Sequence, residues 1–332
     1  MQKTFSYLHL TDIHFDGTDS TEINTYVRRF LEYLSSIGTE KNSPLEFIVL
    51  TGDITFSGRP EQFVFFEDIF LSRLFHTIER EIPVFVVPGN HDQDRNLLSA
   101  INPNILSGTT TCSDADDFFD HTASQFVLNA PFQSFYQYTE GTKYDIRGSG
   151  LSWADTFDTR DGLKIGISGL NDAWASGFAE MSKDTSDRKL LISGSQIQSA
   201  IPSQTDLDLK LLLVHHPLSW YTPQVANEVK RTLFSKFDLV HFGHVHTIYD
   251  LEQHILPNSK YSSAPGFAFH IADRSTGHDH PRGFSIIEVD VTDTGKQAEL
   301  LYHKYSPSFS DTGFARFRDL DDQKLGGIFI SL

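Results

Sequence analysis

Apolar positions along the chain fall into two alternating rhythms. Short, nearly unbroken apolar runs stand at 5–10, 47–50 and 84–87, the length and composition of strands buried on both faces. Between them, Ile23, Tyr26, Phe30, Leu34 and Ile37 recur at the spacing of a helix with one buried face, and Gly38 is placed to stop it. A second helix is expected over 60–81, opened by Pro60, whose missing N–H costs nothing in a first turn, and ended before Pro83. Strand, helix, strand, helix, strand predicts a largely parallel sheet with helices laid on it.

The rhythm breaks over 94–160. Asn, Ser, Thr and Gly cluster there, acidic residues gather at Asp114, Asp116, Asp117 and Asp120, and a Phe-rich helix is expected over 117–136. The stretch reads either as an insertion that caps or borders a site, or as a surface excursion packed down by its aromatics. Strands resume at 163–170, 209–214 and 239–243, with a helix over 223–235; segments at 261–270, 283–290 and 298–305 suggest a second sheet with antiparallel members. With no repeat, low-complexity tract or interdomain linker in sight, the pattern predicts an α/β fold. Two mixed β-sheets pack face to face and are flanked by helices, in one domain over 1–305 with a C-terminal extension over 306–332. The terminal run Gly327-Ile328-Phe329-Ile330-Ser331-Leu332 is open between a last strand, a dimer contact and a dock for another subunit.

Composition narrows the function classes. Of 332 residues 39% are hydrophobic, enough to bury a sizeable core. The 44 acidic against 27 basic residues give a net charge of -17, which argues against a long basic groove for duplex nucleic acid. The single cysteine, Cys112, allows neither an internal disulfide nor a Cys-built zinc site. No run approaches the roughly 18 apolar residues of a membrane span. Met1-Gln2-Lys3-Thr4-Phe5 enters a strand without the layout of a signal peptide. The expectation is a soluble, cytoplasmic protein with no membrane partner.

Candidate chemistry sits at the strand ends. Asp12-Ile13-His14, Gly52-Asp53, Gly89-Asn90-His91-Asp92, His215-His216 and Gly243-His244-Val245-His246 each follow an expected strand. Open α/β sheets bind ligands at those ends, so the five clusters could converge. Carboxylate, imidazole and amide oxygen together suit Zn, Mn, Fe or Ni better than Ca or Mg. Asp53 is the best candidate to bridge two cations. Two ions about 3.5–4 Å apart can hold a shared hydroxide and clamp a phosphate during in-line displacement, so no nucleophilic side chain is needed.

In this order, Asp-x-His, Gly-Asp, Gly-Asn-His-Asp, a His and Gly-His-x-His, the five clusters resemble the signature of calcineurin-like metallophosphoesterases, from residue 12 to 246. The resemblance implies a four-layer sandwich with a dinuclear centre. Asp12, His14 and His246 would bind one divalent metal ion, Asn90, His215 and His244 the other, and Asp53 would bridge them. His91 would face the substrate, stabilising charge and protonating the leaving oxygen. Asp92 would orient His91 or else cap a helix, and His216 would line the substrate pocket. In the purple acid phosphatase branch a ligating Tyr lies three residues after the bridging Asp; here that position is Phe56. Thr55-Phe56-Ser57-Gly58 and His215-His216-Pro217 look more like the bacterial branch that includes class III cyclic nucleotide phosphodiesterases.

Other histidines have plainer readings. His9 and His241 lie in apolar strands and read as core, and His76 as a surface or packing residue on a helix. His270, His278 and His280, with Asp273 and Arg274, form a polar loop within possible reach of the pocket. The 114–120 acids read as a solvated face, and Asp16 as a turn residue. The functional expectation is a metal-dependent phosphodiesterase on nucleotides or other small phosphate esters, as a homo-oligomer or with a partner subunit. The alternatives are a nuclease, in a multi-subunit or defence system, which the acidic balance disfavours, and a non-catalytic interaction module of the same fold.

Overall fold

The computed structural model describes residues 2–38, 43–98, 106, 108–120, 128–176, 190–245, 252–256, 259–269, 282–306, 312–316 and 328–332. Three strands, β1 (Lys3–Leu10), β2 (Leu45–Thr51) and β3 (Val84–Val87), lie side by side and parallel. The helices that connect them are α1 (Thr21–Gly38), then α2 (Pro60–Phe66), which passes through a π-helical stretch, Glu67–Leu71, into α3 (Ser72–Thr77). Ser20 Oγ accepts from Ile23 N (3.1 Å) at the start of α1. Pro60 opens α2 as expected.

Further along come α4 (Arg95–Leu98), α5 (Cys112–Phe119), α6 (Gln133–Gly141), β4 (Ile146–Arg147), β5 (Ser152–Asp158) and β6 (Lys164–Leu170). They are followed by α7 (Gly194–Ala200), β7 (Leu209–Leu213), α8 (Pro223–Thr232), β8 (Leu239–Phe242), β9 (Glu252–Leu256) and β10 (Ser259–Pro265). The chain ends in β11 (Gly283–Thr292), β12 (Gly295–Tyr305), β13 (Phe314–Arg316) and β14 (Ile328–Ser331). Among the described residues the first sheet has the order β13-β12-β11-β1-β2-β3-β4, with β14 also on β12, and the second β5-β6-β7-β8-β10-β9.

Two expectations change. The segments at 283–290 and 298–305 do not join the second sheet: β11 pairs antiparallel with β1 and extends the first sheet. Its alternation suits that place, with Phe284 and Ile286 in the core under the helices and Ile287 and Val289 in the core between the sheets. Nor is there one helix over 117–136. α5 stops at Phe119, with a turn at Asp120, and a 3-10 turn, Ala130–Phe132, leads directly into α6; Pro131 stands at the start of that 3-10 turn, where its missing N–H costs little. The terminal apolar run resolves into β14, and Ser331 O accepts from Gln253 Nε2 (3.1 Å) and Lys260 Nζ (3.0 Å) of the second sheet.

Three apolar layers separate the elements. Phe5, Tyr7, Phe47 and Val49 of the first sheet meet Ile165, Ile167, Leu211 and Leu213 of the second. Leu8, Leu10, Ile48 and Leu50, on the opposite face of the same strands, pack under Tyr26, Phe30, Phe66 and Phe70. The outer face of the second sheet, with Leu212, Val214 and Val240, is covered by Val225 and Val229 of α8. Strands buried on both faces have no polar face to offer, which is why their sequences read as continuous apolar runs. His9 and His241 lie inside the sandwich, 1% and 0% exposed. Among the described residues no helix is long and apolar enough to cross a membrane.

Phe70 touches the rings of Phe15, Phe30, Phe66 and Phe269. Phe70→Ala should destabilise the fold by about 3–5 kcal/mol, the range for emptying a fully buried aromatic position. Urea unfolding followed by circular dichroism checks it, and a loss under about 1 kcal/mol would mean the α1–α2 layer tolerates the cavity.

Candidate metal centre

Each cluster leaves its strand by a sharp turn, and the turns meet where the carboxyl ends of the two sheets come together. Among the described residues five non-glycines have left-handed φ, and four are site residues: Asp12 (52°), His14 (52°), Asp53 (54°) and His244 (65°). That backbone is unfavourable for such side chains and persists only where the surroundings fix it. The turns are cross-tied: Asp12 N donates to Gly52 O (3.1 Å), His14 N to Asp53 O (2.9 Å) and Gly243 N to His215 O (3.0 Å). Gly52, with φ of 91°, leaves the room this needs, since a Cβ there would strike the His215 ring. A Cβ on Gly89 would strike the Asp53 carboxylate.

The side chains converge on Asp53. Its Oδ1 accepts from His91 N (2.7 Å). Its Oδ2 lies 3.5 Å from His14 Nε2 and 3.4 Å from His215 Nε2, between the two imidazoles. Asp12 Oδ1 is 3.7 Å from His14 Nε2, while its Oδ2 accepts from Thr11 Oγ1 (2.8 Å) and His244 N (3.0 Å). Asn90 Oδ1 lies 3.0 Å from His215 Nε2 and 3.1 Å from His244 Nδ1. His14, Asp53 and His91 place ligand atoms within 4.8 Å of one another, as do Asp12, Asp53 and His215, and His215, His216 and His244. The structure thus brings together Asp12, His14, Asp53, Asn90, His91, His215, His216 and His244. His246 lies outside the described residues, as do His270, His278, His280, Asp273 and Arg274.

The match to known families agrees with this geometry: residues 5–247 fit the model of the calcineurin-like phosphoesterases. The chain belongs to that family. A curated relative, the metallophosphoesterase-like protein YydB of Bacillus subtilis (strain 168), is 26% identical over 145 residues, which are 42% of this chain and 28% of YydB. Among solved structures, the purple acid phosphatase PPD1 from seeds of yellow lupin (Lupinus luteus) aligns over 91% of this chain and 52% of its own, at 14% identity and a TM-score of 0.45. The Vacuolar Protein Sorting 29 structure from Cryptosporidium parvum aligns over 95% of this chain and 98% of its own, at 11% identity and a TM-score of 0.37. The chain therefore spans about a quarter of the curated relative and about half of the lupin phosphatase.

The donor set fits the divalent metal ions that this family uses. His215 Nδ1 lies 2.7 Å from the Thr51 carbonyl, an acceptor, so that nitrogen carries the proton. Nε2 of the neutral ring then turns its lone pair on Asn90 Oδ1 and Asp53 Oδ2, which are acceptors too. Three electron-rich atoms face one another, and only a proton or a cation reconciles them. The charges around the site point the same way. Burial would lower the His215 pKa, but Asp53, Asp12 and Asp172 outweigh it and push it up to about 10. Burial would raise the Asp53 pKa, but His215, His91 and His14 pull it well below the carboxylate range. His244 is held neutral, chiefly by burial and then by the neighbouring His216 and His215.

Two supports differ from expectation. Asp92, fully buried, spends its carboxylate on Ile54 N (3.2 Å), Thr55 N (2.9 Å), Thr55 Oγ1 (3.0 Å) and Gly89 N (2.9 Å). Burial and the Asp53 charge push its pKa up to about 6, against the pull of those donors. Asp92 therefore ties the Asp53 turn to the Asn90 turn. His91 is oriented instead by the Phe56 carbonyl, 2.8 Å from its Nδ1.

The other support, Asp172, went unread in the sequence. Just beyond β6, its buried carboxylate accepts from His215 N (3.2 Å), His216 N (2.8 Å) and Tyr221 OH (2.6 Å), and lies 3.3 Å from His216 Nδ1. A strand-end Asp like those of the first two motifs was the available signal, but it has no histidine or glycine beside it.

Asp172→Ala should release the His215–His216 turn and lower affinity for divalent metal about 10–100-fold, the usual effect of losing a support to a ligand. Competition with a chromophoric chelator measures this; unchanged affinity would make Asp172 a folding residue only. A second outcome concerns pH. The folded pKa of His215, about 10, lies above its ordinary 6.5. The pair with Asp53 should therefore stabilise metal-free protein fully below about pH 6.5 and lose that contribution as pH rises towards 10. Chelator-treated protein should melt at falling temperature over that interval, and His215→Gln should flatten the fall. A wild-type melting temperature that rises instead would contradict the assignment.

Proposed function

We propose that the chain hydrolyses phosphate esters, most suitably phosphodiesters of nucleotides or other small molecules, with two divalent cations held by Asp12, His14, Asp53, Asn90, His215 and His244, and by His246. The observation that carries this reading is Asp53 Oδ2 lying between His14 Nε2 and His215 Nε2, as a bridging carboxylate would. Bound cations would supply an activated water at neutral pH and Lewis-acid polarisation of the phosphoryl oxygens.

The chain's own groups do the rest. Asp12 and Asp53 bring negative charge into a buried site that an electropositive occupant neutralises. Asn90 adds a neutral oxygen. The Phe56 carbonyl keeps the His91 proton on Nδ1, so Nε2 is the nitrogen positioned to exchange a proton with the leaving oxygen. The His91 ring stands edge-on to His14, with centroids 4.5 Å apart, which keeps it beside the centre. Phe56 in place of a tyrosine supports a centre without a metal–phenolate bond, as in the bacterial phosphodiesterase branch that the motifs resemble. The net charge of -17 disfavours nucleic acid as the substrate.

Protein dialysed against Mn, Zn, Fe or Ni and assayed on bis-p-nitrophenyl phosphate, cyclic nucleotides and a labelled oligonucleotide tests the reading. Hydrolysis of the small diesters is expected, with the oligonucleotide left largely intact. Asp53→Ala should abolish both metal loading and turnover. His91→Ala should keep its metal and slow turnover about 10²–10⁴-fold, the usual worth of a positioned acid. Metal loss in His91→Ala would refute its role. A wild type that holds no metal and hydrolyses nothing would be an interaction module of the same fold.

A further inference from the structure

The layer between the two sheets is apolar over most of its extent and turns polar where it meets the candidate centre. Along β1 the side chains facing the second sheet run Phe5, Tyr7 and then His9; along β2 they run Phe47, Val49 and then Thr51. β8 brings His241 into the same layer, its ring centroid 4.5 Å from that of His9. Tyr7 OH and His241 Nε2 are 2.8 Å apart, and so are His9 Nε2 and Thr51 Oγ1. All four residues are buried. Polar side chains in such a layer stabilise less than apolar ones of similar size, and the metal reading so far uses none of these four.

The His9–Thr51 pair leads to the centre. Thr51 is the last residue of β2, and Gly52 and Asp53 follow it in left-handed backbone. The parallel ladder between β1 and β2 ends at Leu10 and Leu50. The His9–Thr51 bond therefore holds Thr51 to β1 one residue beyond that ladder. The Thr51 carbonyl is in turn the acceptor for His215 Nδ1 (2.7 Å) and for Thr11 Oγ1 (3.1 Å).

The bond has a direction. Among the described residues Thr51 Oγ1 has no other partner, so its proton goes to His9 Nε2. Burial holds the His9 pKa down to about 3, against the pull of Asp12, so the ring is neutral wherever histidine ligands are free to bind a cation. The pair carries orientation and no charge. It fixes the Thr51 side chain against β1, and with it the peptide whose oxygen keeps the His215 proton on Nδ1 and turns the Nε2 lone pair towards Asp53 and Asn90.

We propose that His9 and Thr51 are positioning residues for the metal ligand His215, acting through the Thr51 carbonyl. The inference rests on the metal-binding reading of the centre.

Cobalt(II) titrated into metal-free protein is the probe, because its visible absorption reports ligand geometry as well as affinity. Thr51→Val removes the hydroxyl and keeps the shape and the carbonyl. It should weaken cobalt binding about tenfold, as the loss of a support to a ligand does, and shift the visible bands of the loaded protein. Thr51→Ser restores the hydroxyl and should restore both. His9→Leu removes the acceptor and reads the same bond from its other side, including where Thr51→Val does not fold. The double variant should bind no more weakly than the weaker single one, since both remove one bond. Tyr7→Phe removes the neighbouring bond to His241 and leaves Thr51 untouched. It should lower the urea midpoint while cobalt affinity and bands stay as in the wild type.

Wild-type affinity and bands in folded Thr51→Val or His9→Leu would overturn the proposal. So would losses that add in the double variant, or a Tyr7→Phe that weakens cobalt binding as much, since the cause would then be a loosened core. A wild type that binds no cobalt would end the metal reading itself; a wild type that binds it, with unchanged variants, would end this inference alone.

Discussion

A buried carboxylate oxygen of Asp53 sits between two imidazole nitrogens, with an amide oxygen and a second aspartate close by. Without a cation the cluster needs a proton: a protonated His215 pairs with Asp53, and once that proton is lost the lone pairs repel and burial in a low-dielectric interior makes the charge costly. A cation reverses the sign of both effects, because it pairs the charge and uses the lone pairs. Much of the surrounding construction can be understood as holding that arrangement in place before any cation arrives.

The construction has three levels. The sheets bring β1, β2, β3, β7 and β8 to one edge, so short turns suffice to aim every side chain inward. Left-handed backbone at Asp12, His14, Asp53 and His244 then bends those turns more sharply than ordinary residues prefer. Finally, Asp92 and Asp172 tie turns together through backbone N–H groups, one between the Asp53 and Asn90 turns and one at the base of the His215–His216 turn. A carboxylate that accepts several backbone hydrogen bonds is a rigid strut, and rigidity at this range sets metal affinity. Similar strutting orients His91 through the Phe56 carbonyl, which is why a phenylalanine at that position contributes its backbone as well as its ring.

How far the sequence carried depends on what each feature leaves in it. Strands buried on both faces leave continuous apolar runs, and α1 leaves its helical repeat, so β1 to β3 and α1 were legible close to their ends. The candidate centre was legible because residue types able to bind metal stand in short motifs at the strand ends. Which edge a strand joins is less visible. β11 alternates between two apolar faces that both sheets could offer, and only pairing with β1 decides its place. Supports were least visible: a backbone carbonyl such as that of Phe56 has no residue signature, and Asp172 is one aspartate among many.

The central claim is that Asp53 lies between two metal ions. Anomalous diffraction from crystals grown with manganese measures this directly. Two peaks about 3.5–4 Å apart, the spacing of two-metal hydrolytic sites, with Asp53 Oδ2 reaching both, are the predicted result. A single peak on one side of Asp53, or full occupancy at a place that excludes His14 or His215, would contradict it.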